Sequence, residues 1–357
     1  MTHLLLGQGY RHHSANGRSD AGRLDRSPER SMCVARPLVL LLAVALVAPG
    51  ETAAPLDRRV RPLAGVLPIA AATAVELPAI ESADDLIALA LSPDGRHLAI
   101  STRRRWDRGG DPILLREAND PRWRDLGGAR FFSVRDLGWG RSASELLVAD
   151  AERVWSLSTA GAAPRRTRYR AIPRWNPAGT LYAVADDDGF ARFTSSGREI
   201  GPRIRGALAP TWSPSGRWLA YAQRREPPST SPRAEFSPTC EIRLLPARGR
   251  VPVVAWSWAA WRREQQQRHW SWAAGPWEVY WTPDGRSLVG LIDAREGEAL
   301  VRYLRRYDLA SGRAALVRVP SDARLLGHSR HWRTWLVYLD GSAFRVELRE
   351  PNRASSR

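Results

Sequence analysis

Apolar residues in this chain fall in short runs broken by turn-forming residues, and one phrase recurs where the runs begin. An apolar residue or Trp is followed by a small residue, Pro, a turn residue and Gly; after a short gap an apolar run resumes. The phrase stands at Leu91-Ser92-Pro93-Asp94-Gly95, Trp175-Asn176-Pro177-Ala178-Gly179, Trp212-Ser213-Pro214-Ser215-Gly216 and Trp281-Thr282-Pro283-Asp284-Gly285. Pro sets φ on entry to a turn and Gly supplies φ > 0, so each copy predicts two strands joined by a tight turn. No helical periodicity of useful length competes.

Degenerate copies align on a Leu seven residues after the anchor, which adds Trp139 before Leu146 and Ser329 before Leu336. Anchors at 91, 139, 175, 212, 281 and 329 are 48, 36, 37, 69 and 48 residues apart. These spacings bracket the roughly 40–50 residues of a four-stranded propeller blade, the longest marking a blade with an insertion. The phrase resembles the WD40-like (PD40) repeats of TolB-type β-propellers, over residues 72–350. It departs from them at Arg141 and Ala143, and at His331 and Arg333. The resemblance covers the propeller alone, since too few residues precede the first anchor for the α/β domain of the TolB family.

The expected fold is therefore all-β, a six-bladed β-propeller with four-stranded antiparallel blades and an insertion at 224–278 in blade four. The sixth repeat supplies strands near 324–327, 335–339 and 344–348 and lacks a fourth. An open sheet edge invites aggregation, so residues 73–77 are expected to close the ring beside 344–348. The repeated anchors Trp139, Trp175, Trp212 and Trp281 are expected to pack between blades.

Met32 and Arg36 precede an apolar run, 38–47, that is too short to span a bilayer. Pro49, Gly50, Thr52, Ala53 and Ala54 follow it. This order predicts a secretory signal peptide over 32–54, cleaved near Ala54. Residues 1–31 are polar and unpatterned, and translation is expected to begin at Met32. Residues 55–71 read as a linker and 351–357 as a disordered tail. Export implies a periplasmic or secreted protein without stable membrane insertion after cleavage, and a monomer is expected. Cys33 falls within the signal and leaves Cys240 alone, so no intramolecular disulfide is expected.

The formal net charge is +17, and all 54 basic residues are Arg. They are scattered through every repeat instead of gathered with aromatics along one groove, which argues against nucleic acid as a partner. A field of this sign favours acidic envelope polymers or anionic lipid surfaces.

Chemistry is sparse. The phrase Gly327-His328-Ser329-Arg330-His331 ends in His where a nucleophile elbow requires Gly, and it reads as a degenerate repeat turn. Beyond the signal only His97, His269, His328 and His331 remain, with no Cys or carboxylate set at metal-ligand spacing. The acidic run 186–188 reads as a hairpin turn. No catalytic residue, metal or cofactor is expected.

The insertion is different. Trp256, Trp258 and Trp261 precede a polar stretch with Arg262, Arg263 and Arg268, and Trp270, Trp272 and Trp277 follow. Alternation on both sides of a polar tip predicts a long hairpin with Trp side chains on one face. Exposed, they would form an aromatic platform edged by Arg, the residue types enriched at binding hot spots. The expected function is an exported, non-enzymatic module that binds a protein or an acidic envelope polymer. The alternative is a carbohydrate-active propeller enzyme, or a regulatory propeller that partners a separate peptidase.

Overall fold

The computed structural model describes residues 56–78, 86–102, 110–117, 120–126, 131, 133–186, 188–224, 240–270, 272–274 and 278–349. The described strands pair into six antiparallel sheets. Strand β1 (Ile69–Val75) comes first in sequence and last in the ring. Blade one is β2 (Leu86–Leu91), β3 (His97–Thr102), β4 (Ile113–Glu117) and β5 (Arg124–Asp125). Blade two is β6 (Asp136–Trp139), β7 (Glu145–Ala149), β8 (Val154–Ser158) and β9 (Arg165–Arg166). Blade three is β10 (Arg174–Trp175), β11 (Leu181–Asp186), β12 (Gly189–Thr194) and β13 (Ile204–Arg205). Blade four is β14 (Ala207–Trp212), β15 (Trp218–Arg224), β16 (Cys240–Pro246) and β17 (Val253–Trp256). Blade five has a split inner strand, β18 (Trp272–Ala274) and β19 (Tyr280–Trp281), then β20 (Ser287–Glu296), β21 (Ala299–Asp308) and β22 (Ala314–Val319). Blade six is β23 (Arg324–His328), β24 (Thr334–Leu339), β25 (Ser342–Leu348) and, as outer strand, β1. The chain is thus a six-bladed β-propeller.

Each inner strand ends on its anchor, which pairs with the residue seven positions on. The pairs are Leu91 with Leu98, Trp139 with Leu146, Trp175 with Tyr182, Trp212 with Leu219 and Trp281 with Leu288. In blade six the pair is His328 with Trp335. The sixth anchor is therefore His328, one residue before the expected Ser329. Alignment on Leu slipped because Trp335 holds that position and Leu336 follows it.

The residue after each anchor shows why small polar side chains recur there. Ser92 N–H donates to His97 O at 2.8 Å, and the Ser92 hydroxyl accepts from His97 N–H at 2.8 Å. Ser213 with Trp218, Thr282 with Ser287 and Ser329 with Thr334 repeat both bonds. Asn176 does the same with Leu181 through its side-chain oxygen. Three anchor indoles are buried, Trp139, Trp212 and Trp281 at 7%, 3% and 2% exposure, and Trp175 is half-buried. Two of them clasp the preceding blade: Trp212 Nε1–H donates to Arg174 O at 2.8 Å, and Trp281 Nε1–H to Thr211 O at 3.1 Å.

Strand β1 closes the ring as expected. Thr73 faces Arg345, Ala74 faces Phe344 and Val75 faces Ala343. The segment ahead of it is not a linker: residues 61–65 form a 3-10 turn, and Val60, Leu63, Val66, Leu67 and Ile69 are buried in the core shared with blades five and six. Apolar side chains at that spacing fill the wedge beside β22.

The insertion is not a hairpin. Ser257 caps a helix, α1 (Trp258–Gln267), its side chain accepting from Ala260 N–H at 3.3 Å, and the helix leads from the outer strand of blade four into blade five. The capping Ser and the helix-favouring Ala259-Ala260 and Glu264-Gln265-Gln266-Gln267 stretch outweigh the Trp-Ser-Trp alternation. Residues 225–239 of the insertion, the tail 351–357 and residues 1–55 lie outside the described residues.

Candidate functional site

Relative to each anchor, the channel is lined by the residues one and three positions before it. Three before stand Ala88, Asp136, Ile172, Ala209, Glu278 and Leu325; one before stand Ala90, Gly138, Arg174, Thr211, Tyr280 and Gly327. Most are small or apolar. Four are not, and Asp136, Arg174, Glu278 and Tyr280 converge on one cavity of about 410 Å³ on the ring axis.

Arg174 Nη2 donates to Asp136 Oδ2 at 3.0 Å, which holds the guanidinium pKa above its ordinary value. The Tyr280 hydroxyl lies 2.9 Å from Glu278 Oε2 and 3.1 Å from Leu325 O, a choice of two acceptors. Burial in the wall, reinforced by the neighbouring Glu278, raises the phenol well above its usual value, so it stays a donor. Arg135, Arg174 and Glu278 are exposed, and this mouth is open.

The opposite mouth is capped by the turn of blade six. There Arg330 stands in place of Pro, and Trp332 in place of Gly. The turn shape survives: Trp332 has φ 61°, beside 74°, 64°, 67° and 66° at Gly95, Gly179, Gly216 and Gly285. A left-handed conformation is costly for a bulky residue and tends to mark function. The side chains reach across the axis. Trp332 Nε1–H donates to Trp212 O of blade four at 3.0 Å, and Arg330 Nη2–H to Arg141 O of blade two at 2.6 Å. In blade two, by contrast, Ala143 does not adopt positive φ, and the turn keeps only its outer bond from Gly140 N–H to Glu145 O.

Trp332→Gly and Trp332→Ala should both lower stability by a few kcal/mol through the lost indole. The glycine variant should be the more stable of the two by about 1 kcal/mol, the reverse of the usual order, because only Ala retains the left-handed penalty. Paired denaturant melts check this.

His328 stacks on Trp332, ring centroids 3.2 Å apart, and lies edge-on to Tyr280 at 5.6 Å. Its Nδ1 is 2.9 Å from Ser329 O, an acceptor, so Nδ1 carries the proton and Nε2 is left as an acceptor. Burial pushes the imidazole down to about 3, and Arg174 adds repulsion. The native ring is then neutral while the unfolded ring gains a proton below about 6.5. Stability should fall as pH drops from 6.5 towards 3, by up to about 1.4 kcal/mol per unit. His328→Phe keeps the stack and should flatten this slope between pH 6.5 and 5, read by melting temperature.

Of the residues expected in an aromatic platform, Trp256, Trp261 and Trp270 are in the core at 6%, 3% and 7% exposure. Trp256 meets Trp261 edge-on at 5.0 Å, and Trp270 Nε1–H donates to Glu296 Oε1 at 3.1 Å. Arg263 is exposed, and Arg268 pairs with Glu264 at 3.2 Å over the Trp270 ring. The side chains of Trp258, Arg262 and Trp272, and the whole of Trp277, lie outside the described residues. The channel quartet lies outside the turn phrase, which runs from each anchor forward. Charged residues at positions otherwise filled by Ala, Gly or Ile were a legible signal. Among the described residues no cluster of His, Cys, Asp and Glu could hold a metal ion, and no helix is long and apolar enough to cross a membrane.

No protein-family model matches the chain, and no curated protein does. Among solved structures it is similar to TolB from Acinetobacter baumannii, with 13% identity and a TM-score of 0.46 over 65% of this chain. It spans about half the length, 54%, of that protein. A putative TolB from Agrobacterium tumefaciens is 16% identical over 73% of this chain and 90% of its own, with a TM-score of 0.47. Hydrazine synthase of Kuenenia stuttgartiensis is 13% identical over 75% and 78%, with a TM-score of 0.47. The six-blade assignment rests on the strand pairing itself.

Proposed function

We propose that this propeller is an exported binding module whose ligand enters the open mouth of the channel. The observation that carries the reading is the convergence of Asp136, Arg174, Glu278 and Tyr280, from three blades, on one cavity that the sixth turn closes behind them. A blind, rigid recess with preset charges suits the end of a protein segment or an envelope polymer better than its middle. Exposed Arg263 and Arg268 of α1, with Trp258, Arg262, Trp272 and Trp277, are further proposed contacts.

Arg174→Gln with Glu278→Gln should abolish capture of the ligand from envelope extract while leaving the melting temperature within a few degrees. Unchanged capture by the double variant would contradict the reading. The apolar run 38–47 supports the export part. Terminal-peptide mass spectrometry of the native protein should find a mature terminus near Ala54, and recovery of peptides spanning 38–54 from the extracytoplasmic form would refute it.

A further inference from the structure

The wall of the channel has its cation engaged and an acid left over. Arg174 is paired with Asp136 at 3.0 Å. Glu278 forms no ion pair among the described residues, and its described hydrogen bond is with the Tyr280 hydroxyl at 2.9 Å. That hydroxyl has a second acceptor in Leu325 O at 3.1 Å, so the carboxylate can turn to a ligand without leaving the phenol unpaired. Deeper in the recess, His328 lies edge-on to Tyr280, its Nε2 an acceptor with no described partner.

The other two cations at the cavity are placed elsewhere. Arg330 reaches across the floor to Arg141 O, and Arg135 is exposed at the rim. Between floor and rim, Asp136 and Glu278 outnumber Arg174. A carboxylate entering there would face Glu278 and find Arg174 already paired. A positive end meets Glu278 directly, and Arg174 keeps N–H groups beyond the one on Asp136 for a carbonyl behind that end.

We propose that the channel binds a protein partner by its free amino terminus, the terminal ammonium on Glu278 and the first carbonyl on Arg174. The space down to His328 and Trp332 is left for the first side chain. This inference rests on the channel reading above and specifies which end of the ligand enters.

Affinity selection by the full chain from pools of random hexapeptides tests it. One pool has free amino termini and amidated carboxyl ends, a second is blocked at both ends, and a third is acetylated and ends in a free carboxylate. Only the first should be enriched. Glu278→Gln should weaken binding of the selected peptides about 10–100-fold, with an unchanged melting temperature showing that the variant is folded. Affinity should also fall as pH rises above about 8, where an α-ammonium loses its proton. The wall does not mimic this loss: beside the carboxylates of Asp136 and Glu278, Arg174 is held above its ordinary value, the Tyr280 phenol well above its own, and His328 down at about 3. Affinity that persists to about pH 10 would identify a lysine side chain as the bound amine and overturn the proposal. Equal enrichment of the blocked pool, enrichment of the carboxylate pool, or enrichment of none would overturn it as well. Each of these outcomes leaves the channel reading standing, which fails separately if Arg174→Gln with Glu278→Gln still captures material from envelope extract.

Discussion

Removal of residues 56–78 should leave a chain that no longer unfolds cooperatively. The segment places Val60, Leu63, Val66, Leu67 and Ile69 in the core, each at 5% exposure or less. At about 1.5–3 kcal/mol per buried side chain, and somewhat less against a compact unfolded state, the sum rivals the roughly 5–15 kcal/mol of a whole domain. Its loss also bares the edge of β25, whose partner β1 is the outer strand of blade six. Circular dichroism melts and size-exclusion chromatography should show aggregation and no sharp transition. A soluble truncation that melts within a few degrees of the parent would contradict this role for β1.

Glu264→Ala should destabilise the protein by about 3–5 kcal/mol. Arg305, in the middle of blade five, is 5% exposed and bonded to Glu264 of α1, itself 14% exposed. Its guanidinium lies 3.2 Å from the Trp256 ring centroid, and burial pulls its pKa down to about 10, so it remains charged at neutral pH. Removing the carboxylate strands a desolvated cation, which costs more than the pair itself contributes. Glu264→Leu with Arg305→Met should recover most of the loss, because an apolar pair of similar volume carries no desolvation penalty. A Glu264→Ala melt unchanged within error would mean that the contact is solvent-screened and that α1 is not pinned through it.

Blade number, closure and most inner strands were legible in the sequence because the turn phrase is tied to backbone geometry. Positive φ and the hydroxyl bonded five residues on admit few side chains. Blade six was legible only in outline. Its turn keeps the geometry with Trp332 in place of Gly, so residue identity no longer reports backbone shape there. The insertion misled for a different reason: Trp-Ser-Trp alternation suits a strand, but Ser257 also caps a helix, and long-range pairing of Glu264 with Arg305 decides between them. The channel quartet was visible in principle as charge at positions otherwise filled by small residues. That these positions share one cavity follows only from the closed ring.

Hydrogen exchange of the protein with and without the material it captures from envelope extract tests the channel most directly. Protection is expected at residues 135–139, 172–175, 278–281 and 325–328, where the inner strands line the cavity. Protection confined to α1 or to the outer strands, with these segments unchanged, would contradict it.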